Sequence, residues 1–166
     1  MGKIEQGGEM IKTGIGYDVH QLVKGESLII GSVPIQAEFG SLGHSDGDAL
    51  IHSICDALLG AAALGDLGVF FPSDKDEWEN VESKMFLIEV ISKVRKEGYS
   101  INNIDATIVL QTPMLRPYIP QIKNSLSDIL ELDKSQVSIK ATTTDHLGFI
   151  GKKLGWSVLA IATLSK

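Results

Sequence analysis

The 166-residue sequence has little of what stabilises or anchors several common classes of protein. It contains one cysteine, Cys55, which excludes an internal disulfide and favours a reducing compartment. No apolar run approaches the ~20 residues that a membrane span needs, and the first residues have neither a signal-peptide nor a transit-peptide pattern. The sequence therefore predicts a cytoplasmic protein with no membrane partner.

Positive charge is also scarce. The formal net charge is −6, and the 15 lysines and arginines are scattered along the chain. Proteins that bind nucleic acids gather basic residues on one face, so we expect no nucleic-acid partner. If the ligand is an anion, its charge must be balanced locally, most simply by metal ions.

The chain length suits one domain, which at this size buries roughly 68–70% of its unfolded surface. We expect residues 1–9 to be a disordered extension and residues 10–166 to form a single domain. The periodicity predicts an α+β two-layer sandwich: a four-stranded mixed sheet with about three helices on one face, a small hairpin and a ferredoxin-like topology. The expected strands are 11–19, 104–110, 137–142 and 156–164, the hairpin is 28–35, the helices are 48–64, 83–97 and 117–132, and 37–47 is irregular.

Residues 43–52 hold two histidines and two aspartates and lead into an apolar helix that carries His52. Asp18 and His20 end the first strand, where positions i and i+2 project to the same side. Two ligands from a strand and one from a helix can converge, and three such ligands with an open fourth position suit a catalytic zinc ion. The alternative is a set of ordinary hydrogen-bonded histidines. Asp46 and Asp48 are expected to shape the loop and not to bind the metal directly.

A second group of candidates, Thr142, Thr143, Thr144 and Asp145, follows a predicted strand. Hydroxyls and backbone amides can surround phosphate oxygens, and one carboxylate can hold a magnesium ion whose other ligands are water and phosphate. The alternative is a β-branched strand end with a capping aspartate.

A third group combines Asp66 and Gly68 with the segment Thr112 to Leu115. A carboxylate on a glycine-bounded turn can accept hydrogen bonds from a ribose diol. The alternative is that Asp66 only holds its own turn together. Neither segment is specific for one function when it is considered alone.

Five blocks occur in order between Met10 and the C-terminus: GYDVH at 16–20, GHSDGD at 43–48, DALLGAAALGDLG at 56–68, FP at 71–72 and KATTT at 140–144. Their combination and spacing closely resemble the 2-C-methyl-D-erythritol 2,4-cyclodiphosphate synthase family of the non-mevalonate isoprenoid pathway. The resemblance favours the zinc interpretation of Asp18, His20 and His52.

The resemblance implies a zinc-dependent and magnesium- or manganese-dependent phosphorus-oxygen lyase. In that family the 2-phosphate of 4-diphosphocytidyl-2-C-methyl-D-erythritol 2-phosphate attacks the β-phosphorus, CMP leaves and the 2,4-cyclodiphosphate forms. Zinc would lie on Asp18, His20 and His52, and a second cation on Asp145 would bridge the α- and β-phosphates. The family is homotrimeric, with active sites between subunits.

The resemblance also assigns contacts to the substrate. Catalytic roles fall to His44, Thr143 and Asp145. Substrate-binding roles fall to residues near the metal and in four loops: Asp18, His20, His44, Ser45, Asp66, Gly68, Ser73, Asp76, Thr112, Pro113, Met114, Leu115, Thr142, Thr143 and Thr144. In these assignments Asp66 and Gly68 face the ribose, residues 112–115 surround the cytosine, and Thr142 and Thr143 hold the diphosphate.

The sequence departs from the family pattern at several positions. Asp145 replaces the usual glutamate and is one methylene shorter, so the second metal is expected to sit differently or bind more weakly. Ser73 replaces an aspartate that contacts methylerythritol, a role that Asp74 or Asp76 can take. Met114 stands where a lysine is common.

A further departure concerns a central cavity that accepts isoprenoid diphosphates in many members. An Arg-x-Glu pair lines that cavity, whereas this chain has Lys152 and Leu154 at the same positions. The resemblance therefore does not extend to this pocket.

Two other functions remain open at this stage. One is a zinc-dependent phosphohydrolase, in which water attacks instead of the substrate's own phosphate. The other is a nucleotide- or metal-binding module without activity, which the departures at Ser73 and Asp145 would favour.

Overall fold

A computed structural model describes residues 10–43, 45–72 and 81–166. Within these ranges the chain is an α+β structure in which helices cover one face of a five-stranded mixed sheet, with a separate two-stranded hairpin. The expected extension at 1–9 lies outside the described residues. No helix in the described ranges is long and apolar enough to cross a membrane.

The strands are β1 (Ile11–Lys24), β2 (Leu28–Ile30), β3 (Val33–Ile35), β4 (Phe39–Leu42), β5 (Ser100–Val109), β6 (Val137–Thr142) and β7 (Gly155–Ser165). The helices are α1 (Ala49–Ala61), α2 (Leu67–Phe70), α3 (Ser83–Lys96), α4 (Ile119–Leu130) and α5 (Gly148–Gly151), with a 3₁₀ turn at Lys134–Gln136. The three long helices, the β2–β3 hairpin and the strand at 137–142 agree with the sequence prediction.

The main sheet has five strands, one more than the sequence predicts. β1 continues five residues beyond Val19, and its end pairs antiparallel with β4 in the segment that we expected to be irregular. β4 contains Gly40 and Ser41, two residue types with weak strand preference, so its pairing depends on the neighbouring strand and not on its own sequence.

The predicted ferredoxin-like topology is wrong. The strand order in the sheet is β4-β1-β7-β5-β6. β5 and β6 are parallel neighbours, and α4 lies in the crossover that connects them along the chain. The last strand, β7, inserts antiparallel between β1 and β5. The core sequence of elements is therefore β-α-β-α-β-β, whereas a ferredoxin-like fold needs β-α-β-β-α-β.

Two glycines in β1 allow the strand to lie directly on α1. A Cβ atom at Gly16 would be 1.9 Å from the backbone oxygen of Ser53, and one at Gly14 would be 2.0 Å from that of Ala57. No other residue type fits such an approach. Asp18 lies two residues beyond Gly16 on the same face of β1. The close approach at Gly16 therefore brings Asp18 within reach of the α1 side chains.

The buried carboxylate of Asp48 ties the hairpin to the start of α1. It accepts hydrogen bonds from the backbone nitrogens of Ser32 at 2.7 Å and Ile51 at 3.1 Å. Burial raises the pKa of Asp48 to about 6, although the backbone hydrogen bonds act in the opposite direction. This carboxylate is a helix cap, and its oxygens are already used.

The face of the sheet opposite the helices is apolar and exposed. In β1 and β7, Ile15 pairs with Ile161 and Tyr17 with Leu159, and Ile15 and Tyr17 are 65% and 59% exposed. A continuous apolar patch of this kind commonly marks a surface that another chain covers.

Candidate functional site

Asp18, His20 and His52 converge as the sequence predicts. Oδ2 of Asp18 lies 3.0 Å from Nδ1 of His52 and 3.3 Å from Nδ1 of His20. One ligand atom from each residue lies within 4.8 Å of the others. The strand supplies two groups from one face and α1 supplies the third, so the backbone geometry of β1 and α1 creates the cluster.

The three groups perturb one another. Burial alone raises the pKa of Asp18, but the hydrogen bond with His52 and the charges of both histidines outweigh it and lower the pKa overall. Burial lowers the pKa of His20. Burial also acts to lower the pKa of His52, but the hydrogen bond and charge of Asp18 outweigh it and raise that pKa. These shifts favour an ionised Asp18 carboxylate beside a positively charged His52.

The donor set fits a divalent metal ion. Nδ1 of His20 is buried and forms no hydrogen bond within the described ranges. An ion held by all three side chains would give this nitrogen a partner. Two imidazoles and one carboxylate form a ligand set that is typical of catalytic zinc, with a fourth position left for substrate.

The Nε2 side of His52 contacts Ser45, which follows β4, and Ser83, which begins α3. Oγ of Ser45 lies 3.4 Å from Nε2 of His52, and Oγ of Ser83 lies 2.9 Å from the same nitrogen. Asp46 accepts hydrogen bonds from both the hydroxyl and the backbone nitrogen of Ser83. Sequence reasoning gave Asp46 a supporting role but missed Ser83, because 31 residues separate Ser83 from His52 and no motif links them.

The loop after β6 is exposed, and its hydroxyls have different partners. The hydroxyl of Thr144 donates to the backbone oxygen of Leu147 at 2.7 Å, which commits it to the turn. The hydroxyl of Thr143 forms two longer contacts within the loop. It donates to Oδ1 of Asp145 at 3.4 Å and accepts from the backbone nitrogen of Asp145 at 3.3 Å. Thr142, Thr143 and Asp145 are therefore the members of this group that face solvent.

A cavity of about 490 Å³ lies at the carboxyl ends of β5 and β6. Because these strands are parallel, the loops that follow them meet at one edge of the sheet. Sequence reasoning named Thr112, Pro113, Met114, Leu115, Thr142 and Thr143, all of which line the cavity. It missed Leu110, Gln111, Arg116, Ile119 and Ala141, which also line it but had been assigned only to strands, a helix or connecting segments.

Gly68 lies in α2 and Asp66 is the N-cap residue directly before it, where we expected a loop. Oδ1 of Asp66 accepts a hydrogen bond from the backbone nitrogen of Val69 at 3.1 Å, so the carboxylate does cap its own turn. Oδ1 of Asp56 accepts from the nitrogen of Leu67 at 2.8 Å and fixes α2 to α1. Among the described residues, those that line the cavity include neither Asp66 nor Gly68.

Three of the residues assigned from the resemblance, His44, Ser73 and Asp76, lie outside the described residues. Lys152 and Leu154, which replace the Arg-x-Glu pair, follow α5 and are both exposed.

Comparison with known proteins decides the family. A model of the YgbB family matches residues 11–165. The chain is 49% identical over 156 residues to the 2-C-methyl-D-erythritol 2,4-cyclodiphosphate synthase of Desulforamulus reducens, covering 94% of this chain and 99% of that protein. The chain belongs to the YgbB family, that of the 2-C-methyl-D-erythritol 2,4-cyclodiphosphate synthases.

Solved structures agree with this family assignment. The bifunctional IspDF from Campylobacter jejuni superposes with a TM-score of 0.92 at 39% identity, covering 95% of this chain and 43% of that chain. A CDP-bound 2C-methyl-D-erythritol-2,4-cyclodiphosphate synthase superposes with a TM-score of 0.86 at 31% identity, covering 92% and 99%. The order of strands described above is therefore the fold of the family.

Proposed function

We propose that this member of the family converts 4-diphosphocytidyl-2-C-methyl-D-erythritol 2-phosphate to 2-C-methyl-D-erythritol 2,4-cyclodiphosphate and CMP. The convergence of Asp18, His20 and His52 on one point carries the proposal. The curated relatives that bear this activity in their name support it.

Asp18, His20 and His52 would hold a zinc ion, and Asp145 a magnesium or manganese ion. When bound, these cations would supply the positive charge that an acidic protein needs around a polyphosphate. The carboxylate of Asp18 would balance part of the zinc charge, and the imidazoles of His20 and His52 would complete the ligand set. Asp145 is exposed and one methylene shorter than the usual glutamate, so we expect weak binding at the second position.

The nucleophile, the 2-phosphate, is part of the substrate, so the protein's task is to fold the substrate back on itself. Well-oriented intramolecular reactions gain roughly 7–11 kcal/mol from positioning. His44 and Ser45 would contact the phosphates and methylerythritol, with Ser73 or Asp76 on the methylerythritol hydroxyls. Thr142 and Thr143 would hold the diphosphate, and a second cation held by Asp145 would neutralise part of its charge.

The cavity at the ends of β5 and β6 would bind the cytosine. It is lined by the 112–115 loop, whose backbone groups can read a base edge, and by apolar side chains that can stack on its faces. Oδ2 of Asp66, the oxygen that does not accept from Val69, would face the ribose together with Gly68.

The register of the sheet supports an active site shared between subunits. Asp18, Val158, Ile108 and Ala141 form one row across β1, β7, β5 and β6. Three strand spacings of ~4.8 Å place the Thr142 loop about 14 Å from Asp18 in the same chain. A diphosphate is much shorter than this. This separation favours a site in which Asp18 and the Thr142 loop that hold one diphosphate come from different subunits.

The exposed apolar face of β1 and β7 provides a surface for such an assembly. Following the family, we propose a homotrimer in which copies of this face pack together. Sedimentation equilibrium should give three times the monomer mass, and Tyr17→Lys, which places charge in the patch, should yield monomers. A wild-type protein that stays monomeric while releasing CMP would refute the shared site.

The reaction products test the proposed function. The purified protein, given zinc, magnesium and the cytidylyl substrate, should release CMP and one cyclic diphosphate, visible by ³¹P NMR as two coupled diphosphate resonances. The zinc phosphohydrolase alternative predicts CMP with linear phosphates instead. A protein that binds the substrate but leaves it intact under these conditions would be a binding module.

A further inference from the structure

Ser83 and Asp46 form a chain of hydrogen bonds that ends on the imidazole of His52. Ser83 is the first residue of α3, and its side chain is fully buried. Its Oγ lies 2.9 Å from Nε2 of His52, on the side of the ring opposite the contact between Nδ1 and Asp18. Asp46 lies behind Ser83 and is bonded to it twice.

The donors and acceptors in this chain assign the protons. An ionised carboxylate only accepts hydrogen bonds, and a serine hydroxyl has one proton to donate. Oδ2 of Asp46 accepts from the backbone nitrogen of Ser83 at 3.1 Å, and Oδ1 accepts from the Ser83 hydroxyl. The serine proton is therefore used on Asp46. The remaining lone pairs of Ser83 Oγ can only accept a hydrogen bond, so Nε2 of His52 must carry a proton.

We propose that Ser83 and Asp46 are positioning residues that keep a proton of His52 on Nε2 and direct its Nδ1 toward Asp18 and His20, so that Nδ1 is the nitrogen left for a metal ion. The inference rests on the proposed metal centre, whose third ligand atom would be this Nδ1. The other nitrogen of a metal-binding histidine commonly donates to such an outer group, which fixes the tautomer and the ring orientation.

The neighbours of Ser83 make it the main partner of Nε2. Oγ of Ser45 is farther from Nε2, at 3.4 Å, and accepts a hydrogen bond from the backbone nitrogen of Gly47 at 3.4 Å. Phe86, one turn after Ser83 on α3, lies with its ring centre 6.3 Å from that of His52. The start of α3 thus supplies both a hydrogen bond and a ring contact to one imidazole.

The test compares two serine-to-alanine variants of the full-length protein. Ser83→Ala removes the partner of Nε2 but keeps the backbone bond to Asp46. Ser53→Ala is the matched control, because Ser53 is equally buried in α1 and its hydroxyl donates to the backbone oxygen of Leu50 in the same helix. Zinc affinity, measured by competition with a chromophoric chelator, should fall about 10- to 100-fold in Ser83→Ala and stay within about twofold in Ser53→Ala.

A spectroscopic measurement separates positioning from a general structural role. Long-range ¹H–¹⁵N NMR should show His52 of the wild type protonated at Nε2, with slow exchange of that proton with solvent. The exchange should become much faster in Ser83→Ala and recover in Ser83→Thr, which restores a hydroxyl. If Ser83→Ala does not fold, Asp46→Asn replaces it. An amide can donate to Ser83, which frees the serine proton for Nε2, so zinc affinity should also fall in that variant.

Two results would overturn the inference. One is an unprotonated Nε2 in the wild type. The other is a folded Ser83→Ala protein with wild-type zinc affinity and unchanged Nε2 exchange. Failure of the wild type to bind zinc is a different result, because it contradicts the proposed metal centre. The comparison of Nε2 proton exchange between the metal-free wild type and metal-free Ser83→Ala still decides the inference.

Discussion

His52→Ala is expected to lower the zinc-dependent release of CMP by about 10³-fold or more. The imidazole is one of three metal ligands in the proposed site, and its loss leaves Asp18 and His20 alone on β1. Metal ions at phosphoryl centres contribute several kcal/mol of charge stabilisation, and each 1.36 kcal/mol is a factor of ten in rate. Steady-state assays of CMP release with added zinc provide the measurement.

The control for this prediction is Ser53→Ala, the neighbouring position on α1. It should retain both zinc binding and CMP release, because its hydroxyl donates to the backbone oxygen of Leu50 within the same helix. Circular dichroism should show that His52→Ala keeps the wild-type secondary structure. Full turnover by a folded His52→Ala protein would exclude this residue as a metal ligand.

Gly16→Ala is expected to lower the free energy of unfolding by about 3 kcal/mol or more, the upper part of the range for overpacked cores. The added Cβ would lie 1.9 Å from the backbone oxygen of Ser53 and 2.8 Å from the backbone nitrogen of Ala57, neither of which can move without displacing α1. For a domain of this size the melting temperature should fall by roughly 6–12 °C. Zinc affinity should fall as well, because β1 carries Asp18 and α1 carries His52.

Gly60→Ala is the matched control on the same helix. Among the described residues, the nearest atom to a Cβ at Gly60 is the backbone oxygen of Ile15, at 4.0 Å. Alanine in a helix is more stable than glycine by about 0.5–1 kcal/mol, so this variant should melt at or slightly above the wild-type temperature. Equal melting temperatures for Gly16→Ala and wild type would mean that β1 and α1 do not approach as closely as described.

The sequence predicted those parts of the molecule that short-range patterns determine. Alternation along β1 placed Asp18 and His20 on one face, and helical spacing placed His52 where it meets them. These features depend on periods of two and 3.6 residues, which are visible in one sequence.

The features that were missed depend on partners far away in the chain. β4 is a strand because β1 extends to pair with it, and the insertion of β7 between β1 and β5 decides the topology. Ser83 becomes part of the site because α3 begins next to His52, which nothing near Ser83 in the sequence indicates. The cavity likewise needs two loops that the parallel pairing of β5 and β6 brings together.

X-ray diffraction at the zinc absorption edge, on crystals grown with zinc and CDP, tests the metal centre most directly. We predict one anomalous peak per chain, within about 2.0–2.2 Å of a carboxylate oxygen of Asp18 and of Nδ1 of His20 and His52. A strong peak at another group of side chains, or zinc-saturated crystals without a peak between β1 and α1, would contradict the account.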